Sequence, residues 1–506
     1  MAAINKPLPD RSRLDECQGF WPFIKISILS VIALSLIGCV TIEKLSRRTA
    51  DSPQETWTPP AKEEQRQVSL PSPQIPAELR QSQQSWTLAN LVDIGLANNP
   101  QTCAAWNAAR SASAALGAVR SSYYPRINAT VNTAKSKAAF AGGRFIVDQM
   151  TLNPVASLSF LLFDFGGRKA SSEQARQALQ AANWMQNSAI QNVILQIESS
   201  YYQYLAAKAL LKVEETSLKG ARANYDAASE RHRVGVATIA DVLQAKTALS
   251  RVELDMVTVQ GVIQTLHGVL ANSLGLPANT SFEVMDELPE ELPLESIREQ
   301  VDLCIKEAES QRPDLAASRA LVFRAEAQIH KSQSDLFPTF TANGSVGRIY
   351  YSNNPVPNST FSISVLLDIP VFAGFQRKYQ LLQAKADAES AKAEMIKLEQ
   401  DVVLQVWTSF YNLKTSEQKI KTSRDLLESA MKSYEVALGR YKEGVGSILD
   451  LLAAQSVLEN GRVQVVQAKT DWFLSLVQFA HDTGTLGLPE IKAGLPAKSE
   501  KGDNRP

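Results

Sequence analysis

The chain has 506 residues, with 52 Lys and Arg balanced by 52 Asp and Glu for a formal net charge of zero at pH 7. That balance excludes the basic surface on which nucleic-acid binding depends. Its four histidines, His232, His267, His330 and His481, have no metal-ligand spacing, and no Gly-rich phosphate loop or nucleophile constellation occurs, so no metal, no cofactor and no enzymatic activity are expected.

The N-terminus reads as a targeting signal. Lys25 precedes an apolar run from Ile26 to Ile37, which closes on Leu36-Ile37-Gly38-Cys39. A run this short cannot span a bilayer as a helix. Closing on a small residue and then cysteine, it resembles the lipobox of bacterial lipoproteins, which implies cleavage before Cys39 and a diacylglycerol on the Cys39 thiol. Val40 stands where an Asp would signal retention in the inner membrane, so the outer membrane is expected. Residues 1–38 are thus the signal peptide and 39–85, rich in Pro, Gln, Ser and Glu, a lipidated extended tether. Cys17 leaves with the signal, and Cys103 and Cys304 are read as small buried residues rather than a bridge.

From there on the chain repeats itself. Phe163 and Phe372, Arg168 and Arg377, Gln196 and Gln405, Tyr202 and Tyr411, Gly235 and Gly444, and Asp241 and Asp450 all stand 209 positions apart. Pro100 with Pro313 and Pro125 with Pro338 stand 213 apart, so four residues are missing from the second copy, in a loop between the two sets. The first repeat spans 86–290, the second 291–489, and 490–506 is a disordered tail. A period this long means that each copy is a unit of several elements.

Each copy opens with a helical segment, then changes period. Ile127, Ala129 and Val131 alternate with Asn128, Thr130 and Asn132; Leu158, Phe160 and Leu162 follow. The second copy has Phe340, Ala342, Gly344 and Val346, then Phe361, Ile363, Val365 and Leu367. Period two predicts strands, joined by loops over Ala139–Met150 and Tyr351–Thr360. At roughly 10 residues each they fit transmembrane β-strands, although a surface hairpin gives the same signal. The export signal favours the membrane.

Beyond the strands proline vanishes from Pro154 to Pro277 and from Pro370 to Pro489. Two such runs, rich in Ala, Gln, Glu, Leu and Lys, predict very long helices, the first from about Arg168 to His232. Val193, Ile197, Tyr201, Tyr204, Leu205 and Leu211 form its apolar stripe. A helix of some 65 residues would reach roughly 100 Å. Its charged and amide residues exclude a membrane-spanning helix. Gly235 and Gly444 are expected to end the long helices at positive φ. Thr238 and Ser447, with Asp241 and Asp450 three residues on, are expected to cap the next ones, giving tight helical hairpins.

The pattern R-x-x-x-G-x-x-[ST]-I-x-D-x-L occurs twice, from Arg231 to Leu243 and from Arg440 to Leu452. With the lipobox and the helix, strand, strand, long-helix order of each copy, it resembles the TolC-like outer-membrane efflux proteins over about residues 86 to 489. The resemblance implies an α+β membrane protein in which three chains, each giving four strands, close a 12-stranded β-barrel continued by a long periplasmic α-helical barrel. Closure agrees: four strands leave open edges in lipid, two chains make a barrel filled by side chains, and three make room for a lumen. It also implies that the second hairpin is the periplasmic tip, with Asp450 in an acidic ring at the aperture and Tyr441 latching the coils. Ala453 replaces a further acid that some relatives carry. For Asp241 a plain turn role is the better reading.

The function expected is a passive exit duct for drugs or other small solutes. It would work as a homotrimer in outer-membrane lipid, driven by an inner-membrane transporter through a periplasmic adaptor. The adaptor would dock at the tips near Gly235 and Gly444, with Arg231, Arg440 and Lys442 as polar contacts. The same fold serving type I protein secretion and a non-conducting coiled-coil lipoprotein scaffold are the alternatives; lipidation favours efflux.

Overall fold

The computed structural model describes residues 86–486 except 141, 143, 285, 286, 290–299 and 353. The signal peptide, Cys17, Cys39, the tether and the tail of 490–506 lie outside the described residues. The chain divides into two units, and everything described belongs to the second, Pro73–Pro506.

Each copy begins with an elbow of two helices. Thr87 caps α1 (Leu88–Asn98) through its side chain. Asn99 then ends α1, accepts a hydrogen bond from the Gln101 amide at 2.9 Å and hands the chain to α2 (Pro100–Arg120). Pro100 takes the first turn of α2, where its missing N–H has no intrahelical partner to lose. Strands β1 (Arg126–Phe140) and β2 (Phe145–Phe163) lead into α3 (Gly167–Arg233) and α4 (Ile239–Ser273). The second copy runs α5 (Val301–Gln311), α6 (Pro313–Ser334), β3 (Thr339–Tyr351), β4 (Asn354–Asp368), α7 (Gln376–Lys442) and α8 (Ile448–Asp482). Helices α3 and α7 both have 67 residues, and α4 and α8 both have 35, so the duplication holds residue for residue in the long helical hairpins.

The strands outrun their expected length, at 15, 19, 13 and 15 residues. The loops expected over Ala139–Met150 and Tyr351–Thr360 are mostly strand, with turns at 142, 144 and 352 among the described residues. Their Asn, Ser, Gly and Pro content reads as loop, but cross-strand pairing satisfies the backbone there regardless of propensity. Pro357 lies where β3 and β4 slip register between Ile349 and Tyr351, which leaves its missing N–H without a ladder partner to lose. The four residues absent from the second copy are lost at the hairpin end, two from the strand after the elbow and two from the turn.

The four strands form one antiparallel sheet in the order β1-β2-β3-β4. Register puts Ile127 opposite Leu158, Ala156 opposite Val346, and Gly344 opposite Ile363, so these apolar residues of all four strands share one face, while Val155, Leu161, Ile349 and Leu366 fall on the other. That other face also carries Asn128, Thr130, Asn132, Ser157, Ser159, Asn343, Ser345, Ser362 and Ser364. The apolar face is bare: Phe361 and Ile363 are 80% and 82% exposed. At its helix end sits a cluster of exposed aromatics, with Phe163 4.7 Å from Phe165 and Phe165 stacked at 5.1 Å on Phe337.

The helices form a layer in the same sequence of copies. Toward the sheet the neighbours run α2, α3, α6, α7; toward the turns they run α4, α3, α8, α7. The edges of the layer are therefore α2 and α4 on one side and α7 on the other. Buried positions along α3 and α7 are mostly small, including Ala181, Ser200, Ala221, Ser409, Ser416 and Ala430, which lets backbones approach closely. The largest apolar core lies where the elbows meet the long helices and includes Leu91, Ile94, Ile197, Leu205, Leu270, Leu274 and Trp472. Leu211, expected on that stripe, is only half-buried. Cys304 is buried and Cys103 exposed, and neither is bridged, so the expectation of burial fails for Cys103, whose side of α2 carries no neighbouring helix. No helix among the described residues is long and apolar enough to cross a membrane.

Candidate functional site

The two helical turns are built alike. Gly235 and Gly444 adopt φ of +79° and +76°, which glycine alone enters without steric cost. The hydroxyl of Thr238 accepts from the Asp241 amide at 3.3 Å while the Asp241 carboxylate accepts from the Thr238 amide at 2.8 Å. Ser447 and Asp450 repeat this reciprocal cap at 3.1 and 3.4 Å. Hydrogen bonds from the Thr238 backbone and then its hydroxyl hold the Asp241 carboxyl below the usual carboxylate range.

Arg231 and Tyr441 join the turns. The Arg231 guanidinium lies 4.7 Å over the Tyr441 ring, and its Nη1 donates to the Tyr441 carbonyl at 2.5 Å. Tyr441 is only 7% exposed, packed in a small core with Ala228, Ala245, Ile448 and Leu451. Burial pushes its phenol up; Arg231 opposes that and Asp241 adds to it. The hydroxyl is buried without a hydrogen-bond partner among the described residues. Arg231 is thus engaged inside the chain rather than offered to a partner, while Arg440, Lys442 and Gly444 are exposed. Asp450 lines a cavity of about 430 Å³ with Val436, Arg440, Gly446, Ala453 and Val457 among others. The most conspicuous exposed groups of the turns are apolar: Val234, Val236, Ile239 and Leu243 on the first, Val445 and Leu449 on the second.

Further from the turns a polar seam crosses between the hairpins. Asn224 of α3 donates to Gln455 of α8 at 2.5 Å, and Gln455 donates to Glu459 at 2.8 Å. Burial pushes the Glu459 carboxyl up, with Asp255 adding to that and Gln455, Arg462 and Arg251 opposing it. Burial likewise raises Glu214, with Asp255 and Glu459 contributing. Glu198 lies one helical turn from both Ile194 and Tyr202, the latter stacked at 4.4 Å on Phe473 of α8; burial lifts its carboxyl to about 7. None of these stands out in the sequence reading. Their signal is a polar residue at a stripe position, Gln455 and Glu459 continuing the face of Leu451.

Residues 91–276 and 304–485 match the family described as outer membrane efflux protein. The chain is 28% identical over 410 residues to protein CyaE of Bordetella pertussis, covering 79% of this chain and 84% of that one. It is 23% identical over 449 residues to the probable efflux pump outer membrane protein TtgC of Pseudomonas putida, covering 84% and 88%. The fold superposes on the outer membrane protein VceC of Vibrio cholerae with a TM-score of 0.71 at 19% identity, over 78% of this chain and 96% of that one. With both repeats matched from elbow to hairpin, the chain belongs to the outer membrane efflux protein family.

Proposed function

We propose that three copies of this chain form an outer-membrane exit duct, anchored by lipid on Cys39 and driven by an inner-membrane pump through a periplasmic adaptor. The observation that carries it is the coincidence of edges. Strands β1 and β4 each leave their outer edge unpaired among the described residues, β1 continues from α2, and β4 leads into α7. All free edges on one side of the chain therefore belong to the first copy and all on the other to the second. A neighbour's first copy can meet α7 and β4 as the chain's own second copy meets α3 and β2. That is a heterologous contact that closes into a ring. Six repeats complete 12 strands with the apolar face toward lipid and the Ser, Thr and Asn face toward a wet lumen.

In this duct Asp450 and Tyr441 gate the aperture, Tyr441 through the Arg231 latch. The adaptor docks on the turns around Gly235 and Gly444, where the exposed valines and leucines supply apolar area and Arg440, Lys442 and Asp241 the polar rim. The cargo is a drug or other small solute, and the chain itself does no chemistry on it.

Purified trimer in a planar bilayer tests the duct. Conductance that rises in Asp450→Ala supports it; none in either protein would sink it. A deletion strain with increased sensitivity to dyes, detergents or antibiotics supports efflux. Unchanged sensitivity with loss of a secreted protein would assign the duct to protein export instead.

A further inference from the structure

The apolar face of the sheet ends in charge. Going up β1 from the helix end, the residues on this face are Ile127, Ala129, Val131 and Thr133, then Lys135 and Lys137. On β3 they are Ala342, Gly344 and Val346, then Arg348. Lys135 and Arg348 are both the tenth residue of their strands, equivalent positions in the two copies. All three cations are exposed. The one acid beside them is Asp148, 3.8 Å from Lys135 in a solvent-exposed pair and directly opposite Lys137. On the opposite face the same stretch carries Ala134, Ser136, Gln149, Thr151 and Ile349, with no charge.

This placement is not what a lumen-facing selectivity ring would need, since the cations stand on the side that lipid covers. Eight residues from Ile127 to Lys135 span about 26 Å along a strand, or about 20 Å along the membrane normal at a tilt of ~40°. Long basic side chains reach a few ångströms further, to the upper edge of an apolar band of about 25 Å. The helices and the aromatic cluster lie at the other end of the sheet, so the charged end is the extracellular one.

Resting on the duct reading, we propose that Lys135, Lys137 and Arg348 form a basic collar around the barrel that binds the phosphorylated headgroups of the outer-leaflet glycolipid, lipid A. Three chains place six cations, Lys135 and Arg348 in alternation, at one height, with the three Lys137 above them. Their spread around the circumference suits many separate lipids rather than one soluble ligand. The collar would fix the height of the barrel in the membrane.

The test is retention of lipid A by the full-length trimer in phosphatidylcholine nanodiscs, read by native mass spectrometry. Discs are doped with lipid A carrying both phosphates or with its dephosphorylated form, and bilayer conductance is recorded on the same preparations. The trimer is expected to retain the phosphorylated form preferentially, and the preference to shrink as salt rises. The triple variant K135Q/K137Q/R348Q should lose it, by roughly fivefold per cation. Asp148→Asn, which removes the opposing acid, should strengthen it. Equal retention by the triple variant, equal retention of dephosphorylated lipid A, or displacement by equimolar inorganic phosphate would each overturn the collar. Conductance separates the two ideas: a conducting trimer without lipid A preference defeats the collar alone, and a non-conducting one defeats the duct.

Discussion

Arg231, at the end of the first long helix, holds Tyr441, at the end of the second, both by its guanidinium over the ring and by a hydrogen bond to the tyrosine carbonyl. The two positions are not equivalent in the repeat: Tyr441 corresponds to His232, and Arg231 to Arg440, which is exposed. The latch is therefore a feature of one chain's two hairpins, and in the proposed duct a movement of the second hairpin would begin there. Arg231→Ala is expected to raise single-channel conductance of the trimer. Arg231→Lys should fall between, because an ammonium keeps the charge but loses the planar stack and the forked donors. Equal conductance in all three would remove Arg231 from the gate.

The reciprocal caps at Thr238 and Ser447 hold the turns in shape. Replacing either hydroxyl by Ala should cost about 1 kcal/mol of local stability. Hydrogen exchange is the measurement: amides of the first turn of α4 should lose protection in Thr238→Ala, and those of α8 in Ser447→Ala, with the sheet unchanged.

Stability should depend on pH through the seam between the hairpins. Glu198 has its carboxyl lifted to about 7 by burial, and Glu214 and Glu459 are raised as well. A raised carboxyl favours the protonated form in the folded chain. The stability it contributes is full below the unfolded value near 4.5 and is lost as pH rises through about 7. The trimer should therefore melt at higher temperature at pH 5.5 than at pH 8 (both roughly chosen to bracket that range). Glu198→Gln should flatten the difference, recovering on the order of 2 kcal/mol per chain at the higher pH. A melting temperature independent of pH in the wild type would contradict this.

Two glycines at positive φ differ sharply in what surrounds them. At Gly275 a Cβ would stand 2.5 Å from the Asn98 carbonyl oxygen, where α4 ends against the elbow; at Gly374 nothing lies within 4 Å. Gly275→Ala is expected to destabilise by several kcal/mol, on the order of 3 or more, because backbone cannot give way. Gly374→Ala should cost only the conformational term, about 1 kcal/mol. Comparable melting temperatures for the two variants would refute the close approach.

In the second copy Arg312 occupies the elbow position of Asn99. Its guanidinium is buried and makes four hydrogen bonds, to Asp314 at 3.0 and 2.6 Å, to Gln405 at 2.7 Å and to the Asp482 carbonyl at 3.2 Å. Arg312→Ala leaves Asp314 half-buried without its partner and should cost on the order of 3 kcal/mol. Asp314→Asn/Arg312→Met, which removes both charges, should recover part of the loss in a chemical-denaturation comparison.

The sequence by itself determined the duplication, the long helices, the caps at Thr238 and Ser447 and the alternation of the strands. All of these are local: proline spacing, helical and two-residue periods and short-range hydrogen bonds act within a few residues of chain. It also placed most apolar and polar strand residues by parity, except at the register shift between Leu161 and Phe163, where Phe163 rather than Leu162 pairs with Phe340. What it could not reach was pairing between distant segments. Pairing of β2 with β3 joins the two copies into one sheet, and the strands run further than their composition suggests because the two strands of each hairpin satisfy each other's backbone almost to the turn. Arg231 looked like a free docking charge until folding brought Tyr441 beneath it. Nothing in the sequence marks Glu198, Glu214 and Glu459, whose carboxyls are raised by burial in the fold. Burial and contact between distant segments are properties of the tertiary arrangement, and only that arrangement decides which of many charged residues has lost its solvent.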